Sequence, residues 1–123
     1  MQETAKTLKQ FFGGFGIPAY AEDSVPDDVD IPYLTYPLVE PEWQKQASFY
    51  VQGWYKATGY AEMIEKCDQI TREIGDGIIV STDKGYIVLR PETPKVQFRT
   101  DQNKDVKVFY INLSLNSYHM PGV

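Results

Sequence analysis

At 123 residues the chain is one domain, 1–123, long enough to bury a core. Its formal charge of −5, with 12 basic residues scattered along it, excludes a strong phosphate-binding surface, which needs clustered Lys and Arg. A single cysteine, Cys67, excludes an internal disulfide and a cysteine-based zinc site, and no apolar run approaches the length of a membrane span.

The first ten residues are polar with lysines and no apolar run follows them, so no secretion signal is expected and the default location is the cytoplasm. Ala5, Leu8, Phe11, Phe12 and Phe15 recur at helical spacing, which predicts a short amphipathic helix over 4–12, capped by Thr4 and stopped by Gly13 and Gly14. The following stretch, GIPAYAEDSVPDDVDIPYLTY, holds Pro18, Pro26 and Pro32, which forbid a continuous helix or a central strand. It reads as a connector into a strand over 32–39, with Leu34 and Tyr36 on one face and Tyr33 and Thr35 on the other.

A polar turn over 41–46 precedes a long strand over 47–58. Phe49, Val51, Gly53 and Tyr55 form one face of it, and Tyr50, Gln52, Trp54 and Lys56 the other. Aromatics on both faces mean either plain strand propensity or two covered faces. Residues 60–75 are the clearest helix: Tyr60, Met63, Ile64, Cys67, Ile70, Thr71 and Ile74 fall on one stripe, and Gly75 and Gly77 end it. Cys67 is therefore expected as a buried core thiol.

Residues 77–91 read as a hairpin about Asp83-Lys84-Gly85, 91–105 as a polar segment with a short strand at 95–99, and 105–118 as a final strand. Phe109, Ile111, Leu113 and Leu115 make one face of that last strand, and Val108, Tyr110, Asn112, Ser114 and Asn116 the other. The tail from His119 is expected to be loose. Helix, two strands, helix and three strands imply an α+β two-layer sandwich, a mostly antiparallel sheet with two helices on one face.

Signals for chemistry are weak. Asp23, Asp27, Asp28 and Asp30 lack the alternation, glycine and distal Glu of a calcium loop, and Pro26 interrupts them. The only histidine, His119, lies in the tail, and pairing it with Cys67 would require the thiol to leave its apolar stripe. Gly13–Gly16 follows a helix, whereas a phosphate loop follows a strand. No catalytic residue, cofactor or metal is expected.

The order of segments and several short phrases carry a resemblance. GIPAY…SVPDD…IPYLTYPL, an aromatic strand ending WYKAT, the helix YAEMIEKCDQITREIG, the hairpin GDGIIVSTDKGYIVLRP and the strand FYINLSL are similar to the small tail terminator (tail completion or minor capsid) proteins of long-tailed phages and prophages of Gram-positive bacteria. The resemblance runs over nearly the whole chain and implies a structural, non-enzymatic ring, usually of six subunits, at the head-proximal end of the tail tube. Such a ring ends tube polymerisation and presents a surface to the head connector.

Its implied partners are further copies of the chain, the tail tube protein and the head connector or neck protein, with DNA passing through the lumen without specific binding and no membrane. Its implied location is the virion tail, and the host cytoplasm during assembly. The competing readings are a neck or head-closure connector of the same virion, and a small α+β ligand-binding domain or enzyme. A ring closes through two different complementary surfaces on each subunit. The expected assembly contacts are Trp43 in its polar turn, the strand aromatics Tyr36, Tyr50 and Trp54, and Arg90 and Arg99 at and beyond the hairpin.

Overall fold

A computed structural model describes residues 2–42 and 45–120. The chain forms helix α1 (Gln2–Phe12), strands β1 (Ala19–Ala21), β2 (Tyr33–Tyr36) and β3 (Gln46–Lys56), helix α2 (Tyr60–Ile74), and strands β4 (Ile78–Ser81), β5 (Gly85–Thr100) and β6 (Val106–His119). The strands make one sheet in the order β1-β2-β3-β6-β5-β4, antiparallel except for the parallel pair β1 and β2. The expected α+β architecture is the one observed.

Both helices pack on the same face. α2 lies across β3, β6 and β5, while α1 sits at the rim and touches both edge strands, β1 and β4, so the sheet curls around it. The second layer is therefore partial. Met63, Cys67, Ile70 and Ile74 of α2 and Leu8 and Phe12 of α1 meet Phe49, Val51, Phe109, Ile111, Leu113 and Leu115 in the core. Phe12 lies 5.4 Å from the Tyr36 ring and 6.5 Å from that of Phe49, a cluster that anchors the first helix to the sheet.

Gly75 ends α2 at φ 56°, and its N–H donates to the Thr71 carbonyl, a stop that costs a glycine little. Tyr60, expected on the apolar stripe, is 56% exposed because it opens the helix beyond the reach of the sheet. Helix α1 begins before Thr4, so Thr4 is no cap; it is buried within the first turn.

Three further expectations change. The connector contains an edge strand, β1, held against β2 by its own register and by the Leu34 N–H donating to the Pro18 carbonyl at 2.8 Å. The short strand expected at 95–99 is present, but it is the second half of β5, which runs on from the hairpin through the polar segment to Thr100. Pro91 pairs with Leu113 and Val96 with Ile111, so residues 92–95 bulge opposite Asn112 alone. The Asn112 amide pins that bulge by donating to the Pro94 carbonyl at 2.8 Å and to Gln97 Oε1 at 3.1 Å. His119 is not in a loose tail: it ends β6 opposite Gly85, and the Met120 N–H donates to the Lys84 carbonyl.

Candidate assembly interface

Period two in the strands splits their side chains between two faces. One face meets the helices. The other has no helix over it among the described residues, and it carries aromatic side chains in a cross-strand array. Tyr33 and Trp54 are register partners and stack with ring centroids 6.2 Å apart; Tyr20 on β1 meets Tyr33 edge-on at 6.0 Å. Further along, Tyr50 and Tyr110 lie 5.6 Å apart, and the Arg99 guanidinium covers the Tyr110 ring at 5.0 Å. An exposed cation–π contact of this kind contributes about 0.5–1 kcal/mol.

Polar side chains on this face are tied to one another. The Trp54 Nε1–H donates to Thr35 Oγ1 at 2.9 Å, and the Thr35 hydroxyl donates to Gln52 Oε1 at 3.0 Å. The Tyr50 hydroxyl donates to Glu22 at 2.9 Å, and the Ser48 hydroxyl donates to Glu92 at 2.7 Å. Among the described residues every buried side-chain nitrogen and oxygen has a partner. The face thus presents half-buried rings, with the Trp54 indole N–H and the Tyr50 hydroxyl already hydrogen-bonded, a surface suited to burial against another macromolecule. Partial burial raises the Tyr33 and Tyr50 hydroxyl pKa values, with Asp101 adding to the first and Glu22 to the second, so both stay protonated through the neutral range.

Of the expected contact residues, the fold brings Tyr50, Trp54 and Arg99 onto this open face. Arg90 is exposed on the same side, opposite Ser114, and reaches Asn116 Oδ1 at 3.4 Å. Tyr36 does not join them. It points the other way, is 2% exposed, and packs on Phe12 as a core residue. The period-two alternation of 33–36 already separated Tyr36 from Tyr33, so the correction was available from spacing. Trp43 lies outside the described residues. Tyr20, Tyr33 and Tyr110, and farther along the same face the stacked pair Tyr86 and Tyr118, also belong to the array and were not expected as contacts; Tyr33 and Tyr110 alternate correctly in their strands, whereas Tyr20 sits in a strand too short to show a period.

The two groups weighed for nucleophilic chemistry occupy unlike places. Cys67 is 2% exposed under α2, and burial, followed by the Asp68 charge, pushes its thiol up to about 12. A nucleophilic cysteine needs the opposite shift. His119 is exposed at the end of β6. Among the described residues no cluster of three His, Cys, Asp or Glu side chains could hold a metal ion, and no helix is long and apolar enough to cross a membrane. No protein-family model and no curated protein sequence matches this chain.

Proposed function

We propose that the chain is a ring-forming structural protein that ends the tail tube of a long-tailed phage at its head-proximal end and offers the surface on which the head connector docks. The observation that carries this reading is the uncovered aromatic face of the sheet, built from Tyr20, Tyr33, Trp54, Tyr50 and Tyr110 with Arg99. Tyrosine, tryptophan and arginine are the residues that dominate protein–protein contact energies. The segment phrases that resemble tail terminators supply the kind of assembly. A charge of −5 on each copy suits a lumen through which DNA slides without adhering.

The test is to polymerise purified tube protein with and without this chain and measure tube lengths by negative-stain microscopy. Capped tubes of bounded length, with this protein at one end, are the expected result. Unchanged lengths together with binding to the head connector would move the protein to the neck of the virion. Unchanged lengths with no binding to either partner would end the reading.

A further inference from the structure

The sheet is unevenly covered. β4 pairs only with Tyr86–Leu89 of β5, so the far half of β5, Val96–Thr100, has β6 on one side and, among the described residues, no strand on the other. A free strand edge carries unpaired N–H and C=O groups and is a template for another strand. On the helix-side face of this half stands Phe98, register partner of the buried Phe109 yet 46% exposed, because α1 and α2 do not reach that far.

At the opposite end of the sheet, β1 also has, among the described residues, a partner strand on one side only. Beside it, against α1, lies a groove of about 190 Å³, lined by Ala5, Lys9, Ala19, Ala21, Tyr36 and Leu38 among others. Its walls are mainly small or apolar side chains, and Leu38 is 40% exposed on it. The flanks of the two edges are opposite in charge. Residues 22–30, next to β1, hold Glu22, Asp23, Asp27, Asp28 and Asp30 and no basic residue. Residues 95–107 hold Lys95, Arg99, Lys104 and Lys107 against Asp101 and Asp105, four positive less two negative, a net +2.

We propose that the occupant of the β1 edge is a second copy of this chain, whose Val96–Thr100 edge docks along β1 and seats Phe98 in the groove between β1 and α1. Facing supports the match: Phe98 projects from the helix side of its sheet, and the groove lies between β1 and α1 on the helix side, where Ala5, Lys9 and Tyr36 line it, and reaches round the β1 edge to Tyr20, so joining the edges brings ring and groove together. An exposed apolar knob with a complementary groove elsewhere on the same molecule makes a heterologous contact, which repeats from copy to copy and generates a ring when the rotation between copies closes. The basic and acidic flanks orient the two edges and disfavour pairing of either edge with its own kind. This inference rests on the ring reading and names its subunit contact.

The experiment uses the full chain. Phe98→Cys protein is mixed with Leu38→Cys protein and bridged with a short bifunctional maleimide; Cys67 is buried and serves as an unreactive background. In parallel, Phe98→Asp protein is compared with the native chain by sedimentation, with its melting curve as a folding control. The expected result is a bridged pair in the mixture and in neither variant alone, and self-association weakened at least about tenfold in Phe98→Asp at unchanged melting. An oligomer that survives Phe98→Asp and yields no bridged pair would place the subunit contact elsewhere, overturning this inference while leaving the ring intact. A chain that stays monomeric with tube protein present, with no bridged pair, would overturn both.

Discussion

Gly53 is the position at which a single methyl group should disturb the fold most informatively. A glycine inside a strand ordinarily weakens it, and replacing it by alanine should recover about 0.5–1 kcal/mol. Here the ring of its register partner Phe109 lies across the space a side chain would take: a Cβ on residue 53 would stand 2.0 Å from Phe109 Cε2 and 2.2 Å from Cζ. Phe109 has no exposed area and packs against Tyr55 with ring centroids 6.3 Å apart, so the ring has little room to retreat. Overpacking of this kind costs about 1–3 kcal/mol, and the short contacts put it at the upper end. After the strand gain is deducted, Gly53→Ala should lose about 2 kcal/mol, or roughly 8 °C in melting temperature. Urea and thermal unfolding of Gly53→Ala, Phe109→Leu and the double variant measure it. The smaller leucine vacates the space, so the double variant should be more stable than the two single losses predict by at least about 1 kcal/mol. A neutral or stabilising Gly53→Ala, or single losses that simply add, would refute the idea that Gly53 exists to admit the Phe109 ring.

Ile70 has no exposed area at the centre of the α2 stripe, so Ile70→Asp should cost at least about 3 kcal/mol, and an unchanged melting curve would contradict the packing of α2 on the sheet. The start of α1 is fastened to the β4–β5 turn, where the Lys84 N–H donates to the Glu3 carboxylate and Lys6 pairs with Asp83 at 3.3 Å. That Lys84 N–H holds the Glu3 carboxyl below its ordinary value of 4.5, so the fastening is complete above 4.5 and is lost as pH falls through the lower folded value. The Lys84 amide resonance should therefore titrate with a midpoint below 4.5 and stop titrating in Glu3→Gln; a midpoint at or above 4.5 would show that the contact is absent in solution.

Much of the scaffold was legible in the chain because burial imprints its period directly on residue order. Met63, Cys67, Ile70 and Ile74 at helical spacing, and Phe109, Ile111, Leu113 and Leu115 at alternate positions, each announce one buried face. The turn at Asp83-Lys84-Gly85 was legible from its turn-forming residues between two apolar runs, and the fold places Gly85 where a Cβ would fall 1.9 Å from the Tyr118 carbonyl oxygen. The sequence by itself thus determined the two helices, the long strands β3 and β6 and the inward faces of both strands.

What it could not determine were relations set by distant partners. β1 is a strand only because β2 lies beside it, and three residues after Pro18 carry no period of their own. The polar run 92–100 joins β5 because β6 supplies its ladder and Asn112 ties down the bulge. Phe98 and Phe109 are register partners on the same side of the sheet, one exposed and one buried. The difference lies in how far α1 and α2 extend over the strands, and coverage by a remote element depends on tertiary packing, which leaves no periodic mark in the sequence at the residue it covers.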